Sequence, residues 1–146
     1  MTTAGRILVA GLVAGAVGAC GGDGTGPSEQ TLTATWHATK AEFVSVVNPA
    51  QKVDLVAIGG SVVLTLNANN TFTMTTTTPG KPVEQVSGTW SSSTDVLTLT
   101  YGLGNSQFDM ALNGDMLLLT GANGSFDVNG DSVDDEVKVN LTLLRS

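Results

Sequence analysis

The sequence predicts an all-β fold of antiparallel strands, and three observations predict it. From Thr31 onward apolar and polar residues alternate along most of the chain. Thr, Val and Gly are abundant, while long runs of the strong helix formers Glu, Lys, Ala and Leu are missing. Turn residues interrupt the alternation every 8–12 residues or so, the spacing of a sandwich or barrel.

The segments follow in order. Trp36 and His37 fall on opposite faces of a first strand. Val53–Ile58 is too short for its period to decide between helix and strand, and Gly59-Gly60 ends it. Val62, Leu64 and Leu66 alternate with Thr65 and Asn67; Asn69-Asn70 then separates them from Phe72, Met74 and Thr76. Pro79-Gly80-Lys81-Pro82 reads as a turn, and Ser91–Thr94 separates Trp90 from Val96. Leu97, Leu99 and Tyr101 form the next run, closed by Gly102–Asn105. Phe108, Met110 and Leu112 lead to Asn113-Gly114, read as a type I′ hairpin because both residues tolerate positive φ. Asn123-Gly124 and Asn129-Gly130 follow as further turns, before Val137, Val139, Leu141 and Leu143. Period two buries one face and wets the other. Short connections make sequential strands neighbours, giving an up-and-down meander. Closing it into a barrel of about 8–10 strands removes the exposed edges.

The N-terminus has a different character. Arg6 precedes an apolar run, Ile7–Val17, of the length of an export signal and too short to span a bilayer. The run ends in Val17-Gly18-Ala19-Cys20, which holds the chain's one cysteine. This string resembles the lipobox of bacterial lipoproteins, with Val17 where Leu is commonest. The resemblance implies cleavage before Cys20 and acylation of that residue, whose several acyl chains anchor a protein stably. Gly21–Glu29 is rich in glycine and small polar residues and reads as a flexible tether. Gly21 stands where Asp would favour inner-membrane retention, so the resemblance leans towards the outer membrane of an organism that has one. The expected organisation is a signal peptide over 1–19, a lipid-anchored tether over 20–30 and one β-barrel domain over 31–146.

That domain resembles the lipocalin-like domains of bacterial lipoproteins, within the wider calycin barrels. The matching strings are Thr35-Trp36, "VVLTLNANNTFTMT" (Val62–Thr75), "GTWSSSTDVLTLT" (Gly88–Thr100) and "LNGDMLLLTG" (Leu112–Gly121). Asn69-Asn70 replaces the Asp-Gly common at that turn. The resemblance implies an eight-stranded antiparallel barrel, or a close variant with extra edge strands, and names no ligand.

Composition limits the function. The net charge is −7, and the four lysines (Lys40, Lys52, Lys81, Lys138) are scattered, so nucleic acid is not an expected partner. The single histidine, His37, has no nucleophile-elbow context near it, and one His with one Cys makes no zinc site. No enzyme is expected. In "DVNGDSVDDE", Asp127, Asn129, Asp131 and Asp135 offer side-chain oxygens at alternate positions, and Val133 offers a carbonyl, as Ca²⁺ requires. The string resembles the calcium loops of integrin-type propeller repeats, with Ser132 replacing a turn Gly. The other reading is a solvated acidic turn on Asn129-Gly130. Trp36, Phe72, Met74, Trp90, Phe108 and Met110 are either core or the lining for a small apolar ligand. Two functions remain open: a lipid-anchored binding module of the cell envelope, or a structural or protein-interaction module with a filled barrel and an unidentified protein partner.

Radiolabelled palmitate is expected to enter the protein in a bacterial host and to be lost in Cys20→Ser. Equal labelling of both would contradict acylation at Cys20.

Overall fold

The computed structural model describes residues 29–146. The leader, Cys20 and most of the tether lie outside the described residues. One helical turn, α1 (Glu29–Leu32), precedes nine strands: β1 (Ala34–Ser45), β2 (Lys52–Asp54), β3 (Ser61–Leu66), β4 (Thr71–Thr77), β5 (Glu84–Ser93), β6 (Val96–Tyr101), β7 (Gly104–Asn113), β8 (Met116–Phe126) and β9 (Asp135–Arg145).

From β3 to β9 each strand pairs antiparallel with the next, and β9 pairs with β1. Eight strands therefore close into a barrel. The other edge of β1 is shared: β3 covers Ala34–His37, and β2 covers Glu42–Val44. Between them Asp54 Oδ1 accepts N–H bonds from Ala41 and Val56, both 3.1 Å, so these two amides are satisfied where the ladder is interrupted. The ambiguous Val53–Ile58 segment is thus the end of β2 followed by turns, with Leu55 buried in the core.

Two bulges keep the inward phase. Thr39 on β1 has no opposite number on β9, so Trp36 and Ala38 point inward before it and Ala41, Phe43 and Ser45 after it. On β8 the register slips at Thr120-Gly121; Gly121 takes φ +83°, and its N–H donates to Asn140 Oδ1 at 3.0 Å. Asn123-Gly124, expected as a turn, lies inside β8 instead. Glycine is used there for closeness: a Cβ would come within 2.9 Å of Val139 Cγ2.

Other turns also shift from expectation. β5 runs through Ser93, so the next turn is Thr94-Asp95. The β7–β8 turn is Gly114-Asp115, closed by the pair Asn113–Met116, and of these residues only Gly114 has positive φ. That is not the type I′ turn expected on Asn113-Gly114. The chain does adopt positive φ at Asn70, 65°, where glycine is common in such turns.

All connections on one end of the barrel are tight or capped. Leu32 is fully buried, and its carbonyl accepts the Trp36 indole N–H at 2.9 Å; the Trp90 indole N–H reaches Asn67 O at 2.9 Å. Arg145 lies over the Trp36 ring, 4.5 Å from its centroid, donates to Thr31 O at 2.7 Å and pairs with Asp115. α1 thus plugs this closed end. The open end carries the β1–β2, β2–β3, β4–β5, β6–β7 and β8–β9 connections. On that side β5 parts from β6 beyond Gly88, where a Cβ would lie 1.9 Å from Thr100 O.

Leu143→Ala is expected to cost about 2–5 kcal/mol, and Gly88→Ala about 1–3 kcal/mol or more. Gly104→Ala, whose Cβ meets nothing within 4 Å, should be nearly neutral. Urea unfolding followed by Trp fluorescence checks the order; equal costs at Gly88 and Gly104 would contradict the packing at the β5–β6 crossing.

Candidate functional site

Inward positions differ in size along the barrel. Towards the closed end stand Trp36, Leu66, Trp90, Leu117 and Leu143, all buried. Towards the open end several inward positions are small: Thr76 on β4, Ser106 on β7 and Gly124 on β8. Small groups facing one another leave space that larger side chains fill elsewhere. The result is a cavity of about 150 Å³, lined by Phe43, Val62, Met74, Thr76, Tyr101, Ser106, Phe108, Asn123, Gly124, Val139 and Leu141. Its wall is chiefly apolar. The few polar groups include Tyr101 Oη and Ser106 Oγ, hydrogen-bonded to each other at 2.7 Å.

Of the six expected lining residues, the structure places Met74 and Phe108 on the cavity wall. Trp36, Phe72, Trp90 and Met110 are buried in the core and are not lining residues. Their size drew attention, but size fills space rather than making it. The informative pattern is the reverse: inward-phase Thr76, Ser106 and Gly124 opposite Val139 and Leu141. Gly124 was missed because its inward phase depends on the β8 bulge.

The cavity is smaller than the range of about 300–1,000 Å³ usual for drug-sized ligands. It is the size of an apolar void known to take benzene, about 150 Å³. A second cleft of about 210 Å³ lies at the mouth, lined by Thr78, Lys81, Glu84, Ser125, Phe126 and Asp134. Phe43, on the cavity wall, stacks on Phe126, on the cleft wall, with centroids 4.4 Å apart and planes 5° from parallel.

The loop after β8 carries the acidic residues. One carboxylate oxygen from each of Asp127, Asp131 and Asp135 falls within 4.8 Å of the others. Asp127 accepts N–H bonds from Gly130 (2.8 Å), Asp131 (3.2 Å) and Ser132 (2.8 Å). Asn129 Oδ1 accepts from Asp131 N–H, Asp131 Oδ1 from Val133 N–H, and Asp135 Oδ2 from Val128 N–H. Val133 is exposed. Ser132 adopts φ 69°, the conformation for which the propeller loops use glycine. Desolvation in the loop works to raise the pKa of Asp127. The N–H groups of Ser132, Gly130, Asp131 and Asn129 outweigh it and hold the carboxyl below its ordinary value of 3.8.

His37 lies on the outer face of β1, opposite the inward Trp36, and is exposed. It faces no pocket.

The family model of the lipocalin-like domain matches residues 32–128. The chain belongs to the lipocalin-like domain family. The match covers β1 to β8; the acidic loop and the closing strand β9 extend beyond it. Members of this fold generally bind or carry ligands rather than catalyse reactions. No curated protein matches the chain.

Because the folded loop favours ionised Asp127, its contribution is complete above pH 3.8 and is lost as pH falls below that value through the folded-state pKa. The amide signals of Gly130 and Ser132 should titrate together with a midpoint below 3.8. A midpoint at or above it would contradict the hydrogen-bonded loop.

Proposed function

We propose that the chain is a lipid-anchored lipoprotein of the cell envelope whose barrel holds a small apolar ligand. The observation that carries this reading is the apolar cavity in the open half of a barrel whose other half is filled. Burial of apolar surface supplies the affinity, and the few polar groups orient the ligand. At about 150 Å³ the ligand is benzene-sized, or the end of a chain of about six carbons. The position of α1 supports the anchored arrangement. Whatever precedes Glu29 leaves from the closed end, so a tether from Cys20 holds the barrel with its mouth free. The outer membrane is the favoured location in an organism that has one.

Ca²⁺ is the proposed occupant of the acidic loop, with Asp127, Asp131 and Asp135 as carboxylate ligands beside Asn129 and the Val133 carbonyl. The convergence of the three carboxylates supports it. A second reading, a protein-interaction module, draws on the open-end loops, where Val46, Val47, Ile58, Leu103 and Val133 are exposed.

Two measurements test these readings. Native mass spectrometry of the full chain should show a co-purified small molecule, and Thr76→Trp, which fills the cavity, should lose it while melting within a few degrees of the parent. An empty wild-type barrel that also refuses benzene would overturn the binding reading. Millimolar Ca²⁺ should raise the melting temperature and release heat on titration; no change in either would remove the calcium site.

A further inference from the structure

The mouth has a chemistry of its own that selects among apolar ligands. The cavity and the cleft adjoin along two strands. Thr76 on β4 lines the cavity and Thr78, just past the end of that strand, the cleft; on β8, Gly124 lines the cavity, and Ser125 and Phe126 the cleft. An occupant reaching from one to the other is therefore two-part: an apolar tail below the Phe43–Phe126 stack and a polar head above it.

Charge around the head position is one-sided. Glu84 and Asp134 line the cleft, and Glu136 stands just past it on β9; neither cleft acid belongs to the three-carboxylate cluster proposed for Ca²⁺. Among the residues lining the cleft the one cation is Lys81; Lys52, at the start of β2, pairs with Glu42, and Lys138, on β9, donates to Asn123 Oδ1. Lys81 Nζ lies 5.8 Å from the centroid of the Phe126 ring, the placement of an ammonium over an aromatic face. The protein's own side chain thus marks where an ammonium sits, with an aromatic face on one side and carboxylates around it. Lys81 is exposed and belongs to the β4–β5 turn, so it can swing away.

Resting on the proposed binding of an apolar ligand, we infer that the natural ligand class is a cationic amphiphile. Its apolar tail of about six carbons fills the cavity. Its ammonium head displaces Lys81 from Phe126, between Glu84 and Asp134. The acidic rim also concentrates such ligands at the mouth and repels carboxylates.

Three six-carbon probes differing only in their heads test this on the full chain at neutral pH and low salt: hexylammonium, 1-hexanol and hexanoate. Calorimetric titration should find hexylammonium about threefold to tenfold tighter than hexanol, the range for one exposed cation–π contact with screened carboxylates. Hexanoate should be the weakest. Half-molar salt should erase the preference. Glu84→Gln with Asp134→Asn should narrow the advantage of hexylammonium over hexanol, leaving the Phe126 contribution, and should leave hexanol unchanged. Lys81→Met, which removes the internal competitor, should tighten hexylammonium and leave hexanol alone. Hexanol binding with equal or tighter hexanoate would overturn the cationic class and leave the apolar cavity standing. An ammonium preference undiminished in the double variant, or one that Lys81→Met does not strengthen, would also overturn it. Binding of none of the three would overturn both.

Discussion

Pairing of β9 with β1 is the contact on which the rest depends. It joins Val137–Arg145 to Trp36–Ser45, residues about a hundred positions apart, and turns an open sheet into a tube. Without it β9 and β1 are open edges, and the inward Val137, Leu141 and Leu143 lose their partners across the barrel. The same ladder sets Arg145 beside Trp36, so closing the wall and capping one end are a single event. Such long-range pairing is entropically demanding and forms late relative to the local hairpins. The two bulges are what let these strands curve while their apolar residues stay inside.

Stability and function divide the interior between them. The closed half is packed with large side chains whose two indole N–H groups are both satisfied by carbonyls at the end turns. Small inward residues leave the open half partly empty, which forfeits dispersion contacts there. The exposed apolar side chains of the open-end loops and the parting of β5 from β6 belong to the same half. The fold concentrates its large buried side chains at one end and its exposed apolar loop residues at the other.

Much of the fold was legible in the sequence because the alternation is long and turn residues punctuate it. What escaped is instructive. Glu29 and Gln30 read as the end of the tether and Thr31-Leu32 as the start of the barrel domain, because a single helical turn carries no periodic signal, yet the four form α1, and Leu32 plugs the barrel. Asn123-Gly124 has the composition of a turn, but here the glycine serves close packing against Val139, a tertiary requirement with no local signature. Ser91–Thr94 reads as a break by its polarity, whereas alternate serines suit the wet face of β5. The site was less legible than the fold. Aromatic and Met side chains were the natural candidates for lining, and Met74 and Phe108 do line the cavity. The space itself comes from what is absent at Thr76, Ser106 and Gly124, and a void is a property of facing strands, visible only once their register is known. The acidic loop was the reverse case. Its acidic residues are close in sequence, so their convergence is local, and the positive φ at Ser132 falls at the position where the propeller loops carry glycine.

Barrel closure leaves an apolar void in the open half of the interior, above a closed half filled by large side chains. A crystal pressurised with xenon tests it most directly, since xenon enters dry apolar cavities without needing a polar partner. The account predicts one strong xenon peak bounded by Phe43, Val62, Phe108 and Val139. Xenon lodged instead among Trp36, Trp90 and Leu143, or found nowhere inside the barrel, would contradict it.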